Sequence, residues 1–153
     1  MTTIGLVVSR FYEDIADEME EEAFRQAADC GVDVETTVHV PGVYDIVLAA
    51  DRLARQDGID AVTVLGAVIS GDTDHDQVIT HAVAQRLTDV SLDHDKPIGF
   101  GVIGPGMSGD EAAARVEHAA DAVTAAARSV ENIPDGQSGR ERMSRAGRPR
   151  IDR

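Results

Sequence analysis

Strand-length and helix-length patterns alternate four times along this chain, and that alternation limits the fold more than any other feature. Ile4-Gly5-Leu6-Val7-Val8 is a short continuous apolar run, the pattern of a strand covered on both faces. Ile15, Met19, Ala23 and Ala27 then recur every four residues, as on one face of a helix. Val32, Val34, Val38 and Val40 alternate with polar residues, which predicts a strand buried on one face only. Ile46, Ala49, Ala50 and Leu53 predict a second helix, and Ala61 to Ile69 is a nearly unbroken apolar run, a central strand. Val78, Ile79, Ala82, Val83, Leu87 and Val90 predict a third helix, and Pro97 to Ile103 a fourth strand. A long last helix is expected over Ala112, Val116, Ala119, Val123, Ala126 and Val130, opened by the capping box Ser108-Gly-Asp-Glu111.

The order βαβαβαβα builds a parallel sheet with helices on both faces, because parallel neighbours need crossover connections. Ligands of such sheets gather at the carboxyl ends of the strands. That rule selects four turns here: SRFYED (9–14), VPGVYD (40–45), ISGDTDHD (69–76) and VIGPGMSGD (102–110).

Composition narrows the class of partner. The formal charge is −14, and Lys96 is the only lysine. Residues 140–153 hold six arginines against Glu141 and Asp152, leaving residues 1–139 with eight bases, 26 acids and a charge of −18. A body so acidic repels a phosphate backbone, so nucleic acid is an unlikely partner; screening at high salt would relieve its self-repulsion. Cys30 is the only cysteine, which excludes an internal disulfide and a thiolate metal cluster; its helical setting predicts a small buried residue. No apolar run reaches membrane-spanning length, and MTTIGLVVSRF enters a strand without a signal-peptide layout, so a cytoplasmic protein is expected. Residues 1–131 are expected to form one domain. Residues 132–153 are Arg-rich, punctuated by Gly and Pro and without apolar period, so a disordered tail is expected there. Aromatics number only five, so aliphatic packing must carry the core and an aromatic beside a loop is noteworthy.

Within the third turn, a helix beginning after Gly71 with Thr73 as its cap would present free N–H groups and a positive dipole end to an anion. Asp72 opposes a phosphate there unless its carboxylate turns away, and Arg115 is the candidate counter-charge. The i,i+4 spacing of Glu111 and Arg115 predicts instead a surface ion pair. His75 stands where a ligand would be held and can move protons near neutral pH, with Asp74 or Asp76 able to support it, although a lone histidine at a helix start is more often incidental. His81 lies six residues on and off the face of His75, so no metal site is expected. The acid pair of a phospho-receiver domain, the Ser/Thr/Gly phosphate loop of a flavodoxin, GxGxxG and GxxxxGK are all missing.

The signatures VVSRF (7–11), VPGVYDI (40–46), GAVI-x-G-x-T-x-H (66–75) and FGVIGPGM (100–107), with Arg115 downstream, occur in this order over about residues 4–130. In these the chain closely resembles the archaeal 6,7-dimethyl-8-ribityllumazine synthases. The resemblance implies a three-layer α/β sandwich of flavodoxin-like, lumazine synthase type, with a four-stranded parallel sheet flanked by helices. It implies condensation of 5-amino-6-(D-ribitylamino)uracil with 3,4-dihydroxy-2-butanone 4-phosphate, a step of riboflavin biosynthesis that needs neither metal nor organic cofactor. Matching positions imply that Phe11 stacks on the pyrimidine, that Val43, Tyr44 and Asp45 hold the ribityl chain, and that Ala67, Val68 and Ile69 meet the ring edge. They imply further that Asp72, Thr73 and Arg115 receive the phosphate, that His75 carries the proton, and that Phe100 closes the site of a neighbouring subunit. The expected assembly is a pentamer, or a sixty-subunit shell of pentamers. The sequence departs from the family at Ser70, where a charged residue is common, at Tyr12, where Asn is common, and in lacking a lysine after Arg115. An archaeal riboflavin synthase on the same fold, or a flavin- or lumazine-binding shell protein without activity, are the alternatives; the intact GAVI-x-G-x-T-x-H loop favours the synthase.

Overall fold

A computed structural model describes residues 1–71 and 74–134. The expected tail from residue 135 onward, and with it Asp72 and Thr73, lies outside the described residues.

The chain forms β1 (Thr3–Ser9), α1 (Glu13–Cys30), β2 (Asp33–Val40), a 3-10 turn (Val43–Asp45), α2 (Ile46–Ala54), β3 (Ala61–Ile69), α3 (His75–His94), β4 (Ile98–Met107), α4 (Gly109–Ala113) and α5 (His118–Asn132). All four strands are parallel, in the order β2-β1-β3-β4. The order reverses between β1 and β3, the switch point outside whose carboxyl ends ligands of such sheets bind.

Side chains of alternate parity divide the core into two layers. Ile4, Leu6 and Val8 of β1, with Ala61, Leu65 and Ala67 of β3, pack under α1 and α5. Val7, Val62, Val64 and Val68 face the other way, against α2 and α3. The largest fully buried side chains are aliphatic or Met except for Thr63, and are led by Ile4, Leu6, Met19 and Ile46. Small residues let the helices come close: Ala16, Ala23 and Ala27 of α1 and Ala119, Ala122, Ala126 and Ala127 of α5 are buried. β4 contributes Gly99 and Gly101 to this contact, and a Cβ at Gly99 would sit 2.1 Å from the Ala122 carbonyl oxygen.

Four expectations are corrected. β2 does not bury one face throughout. Ile4 pairs with Val34 but Gly5 pairs with Thr36, so Glu35 is an extra residue. The bulge exchanges the faces: Val32 and Val34 pack with α1 and α5, Val38 and Val40 with the opposite layer. The last helix is not continuous. After Ala113 the chain tightens into i→i−3 bonds, His118 N–H to Arg115, Ala119 to Val116 and Ala120 to Glu117, before α5 starts. Cys30 is exposed, because Gly31 turns the chain in the left-handed region (φ 68°) and Val32 takes the next core position instead. Val78 is also exposed, on the outer side of α3.

Gly99→Ala is expected to lower stability by about 3 kcal/mol, since a backbone carbonyl cannot yield as a side-chain tip can. A fall in the urea midpoint at unchanged m-value measures this.

Candidate active site

Four turns end the strands at one edge, and short contacts join them in sequence. Ser9 ends β1, and the Arg10 N–H donates to the Val40 carbonyl at 2.8 Å, which ties the first turn to the second. Phe11 follows, 69% exposed, with the edge of the Tyr12 ring against it at 4.9 Å between centroids. Tyr12 packs partly into the core, so it holds an exposed ring by a buried one. A Cβ at Gly42 would lie 3.9 Å from Phe11, so the second turn passes close beside that ring. The Asp45 carboxylate accepts the Gly42 N–H at 3.0 Å and shapes this turn, Val43 is buried beneath it, and Tyr44 is exposed above. At Gly66 a Cβ would come 2.9 Å from Val43 and 3.1 Å from Ser9, so glycine there lets the first two turns close on β3.

The third and fourth turns are stitched by Asp76. The Ser70 N–H donates to the Met107 carbonyl at 2.8 Å. Asp76, in the first turn of α3, accepts the Gly106 N–H at 3.0 Å and the Ser70 hydroxyl at 3.4 Å. Burying a carboxylate costs several kcal/mol unless donors meet it, and each hydrogen bond to a charged group returns about 1.5–3 kcal/mol. Asp76 is only 7% exposed and its carboxylate is bonded to Gly106 and Ser70 instead of to His75, so the expectation that it supports the histidine is corrected and Ser70 acquires a role. The signal was faint: Asp76 falls one residue after the histidine, on a helix face that periodicity alone leaves ambiguous.

His75 itself is exposed as the first residue of α3, after Asp74 at the N-cap position. Ala67 and Val68 are buried and Ile69 is half-buried, so mainly their backbone is turned to the rim. Arg115 lies in the turn between α4 and α5, with Nη1 3.8 Å from the Met107 sulfur at the end of β4. The expected Glu111–Arg115 pair does not form. Glu111 is turned back to the Ser108 N–H (3.4 Å), while its own N–H donates to Ser108 Oγ at 3.2 Å, completing the capping box. Arg10, the other arginine of the rim, is held by Asp17 at 2.5 Å, and that hydrogen bond raises its pKa above the ordinary guanidinium value. Among the described residues Arg115 is in no ion pair, which leaves it the available cation at this edge. Phe100 is not brought to the rim. It pairs with Val64 near the start of β4, 43% exposed on the edge strand. Among the described residues no three His, Cys, Asp or Glu side chains group as a metal would need.

Fold and rim define a parallel α/β protein with its strand-end turns gathered at the carboxyl edge, around the β1/β3 switch point. The sequence model of the 6,7-dimethyl-8-ribityllumazine synthase family matches residues 1–133, and the chain belongs to that family. A protein named 6,7-dimethyl-8-ribityllumazine synthase from Halobacterium salinarum is 58% identical over 126 residues, covering 82% of this chain and 95% of its own. A protein of the same name from Halorubrum lacusprofundi is 54% identical, covering 82% and 94%. One from Methanopyrus kandleri is 43% identical over 130 residues, covering 85% and 92%.

Ser108→Ala removes the cap of α4 and is expected to cost about 1 kcal/mol. Chemical denaturation measures the loss.

Proposed function

We propose that this chain condenses 5-amino-6-(D-ribitylamino)uracil with 3,4-dihydroxy-2-butanone 4-phosphate to 6,7-dimethyl-8-ribityllumazine, in riboflavin biosynthesis. One observation carries this reading: four turns with the family's signatures are joined by close contacts into one rim. The names of the relatives favour it over the riboflavin synthase alternative.

In the reaction the uracil's amine attacks the ketone, and water leaves as the imine forms. Loss of a carbon-bound proton expels the phosphate. The enol so formed becomes a ketone, the ribitylamino nitrogen closes on it, and a second water departs. Every step moves a proton between carbon, nitrogen or oxygen and a base. His75 is the carrier we assign, exposed at the start of α3. Phe11 offers its ring face to the pyrimidine, and the Ala67–Ile69 backbone its hydrogen-bonding groups to the ring edge. Val43, Tyr44 and Asp45 line the ribityl side. Asp72, Thr73 and Arg115 take the phosphate, and the guanidinium of Arg115, in no ion pair among the described residues, supports its part. The remainder of the rate comes from holding two substrates in one orientation.

Phe100 belongs in this reading to a neighbour's site. Its position away from its own rim supports that, as do Leu48 and Val78, exposed on the adjacent helices α2 and α3. The assembly we infer is a homo-oligomer, a pentamer or a sixty-subunit shell, of a cytoplasmic protein from a high-salt interior; no described helix is long and apolar enough to cross a membrane. The catalytic domain is residues 1–131, and residues 132–153 are an appendage.

Lumazine absorbance is expected to appear from the two substrates together, and none should convert to riboflavin when lumazine is supplied alone. His75→Ala is expected to lower kcat on the order of 10²-fold with KM little changed, leaving residual turnover by proximity. Equal steady-state rates for variant and wild type would remove His75 from the mechanism. Light scattering over a salt series should show assembly at about 1 M salt, where the Debye length is ~3 Å, and dissociation at low salt.

A further inference from the structure

Asp76 is a buried acid for which the condensation itself has no use. It lies in the first turn of α3, beside His75 in sequence. Adjacent residues of a helix point about 100° apart, so the pair do not face each other. The Asp76 carboxylate is directed elsewhere, to the Gly106 N–H and the Ser70 hydroxyl. Ser70 is bonded again through its N–H to Met107. Around this carboxylate the end of β4 has an unusual backbone. Gly104 and Gly106 have φ of 100° and 78°, and a Cβ at Gly104 would sit 2.1 Å from the Val68 carbonyl oxygen. Such a backbone needs an internal acceptor for the amide it turns inward, and Asp76 is that acceptor.

We propose that Asp76 is a positioning residue for the phosphate end of the site, a latch between the turn after β3, the start of α3 and the tip of β4. It fixes Ser70, where the chain leaves β3, and through the Ser70 N–H the end of β4 at Met107, whose sulfur the Arg115 guanidinium touches. It also fixes the helical turn from which His75 projects. The latch works by geometry and not by charge. The inference rests on the functional reading above, and its test separates the two.

The test compares Asp76→Asn, Asp76→Ala and wild type in the assembled protein, in steady-state kinetics and in amide hydrogen exchange of residues 104–107. Asn keeps an oxygen for the Gly106 amide, so kcat and both KM values should stay within about threefold of wild type, with unchanged exchange. Ala leaves that amide unpaired, so exchange should quicken and KM for the butanone phosphate should rise about tenfold or more, with KM for the uracil within about twofold. A general loss of stability would lower the active fraction but would not single out one substrate's KM. Should Asp76→Ala fail to fold, Ser70→Ala removes one donor only and should raise the same KM about two- to fivefold. Unchanged exchange in Asp76→Ala, an unchanged KM for the butanone phosphate, or Asp76→Asn as impaired as Asp76→Ala would each overturn the latch. Absence of lumazine formation by the wild type would instead overturn the functional reading, while the exchange result still decides the latch.

Discussion

The burial of β3 on both faces is the constraint from which the rest follows. From Ala61 to Val68 every residue is buried, and β1 and β4 take its backbone hydrogen bonds on either side. Apart from the buried hydroxyl of Thr63, such a strand presents no polar side chain along its length. Helices must cover both faces, and a ligand can meet the strand only where its backbone emerges. Because β1 is followed first by β2 on one side and later by β3 on the other, that emergence coincides with the switch point. Phe11 and the chain leaving Ile69 thereby follow the carboxyl ends of two adjacent strands.

Close approach there depends on missing side chains and on one carboxylate. Gly66 admits Val43 and Ser9, and Gly104 admits the Val68 carbonyl. Asp76 supplies the acceptor that the inward Gly106 amide needs. Positive charge is scarce in a chain of net charge −14, and its distribution is selective. Arg10 is held by Asp17, whereas the capping box occupies Glu111 and so leaves Arg115 without that partner. A local helix signal thus governs a charge at the rim.

The features legible in the sequence were those carried by local pattern. Eight elements follow from apolar spacing, and the four turns follow from their order. The capping box at Ser108 was readable because its two bonds join residues three apart. Where the reading went astray, either strand register or a competing local bond decided. The Glu35 bulge is a matter of register between β1 and β2, invisible in either strand alone. The i,i+4 spacing of Glu111 and Arg115 was correct for a pair, but Glu111 had a nearer claim on it. Cys30 sat at a helical core spacing, yet the left-handed Gly31 delivers Val32 to the core in its place.

The sequence by itself determined the alternation of strands and helices, the parallel sheet that alternation requires, and the motifs at the strand ends, because each depends on residues close in the chain. Only the tertiary structure decided that Asp76 is buried, that Ser70 belongs to its network, that Arg115 lacks an acidic partner among the described residues, and that Phe100 stands apart from its own rim. The burial of Asp76 turns on a contact between segments distant in sequence, the 30 residues from Asp76 to Gly106. Burial and hydrogen bonding of a polar side chain are properties of that contact, and no local periodicity encodes them.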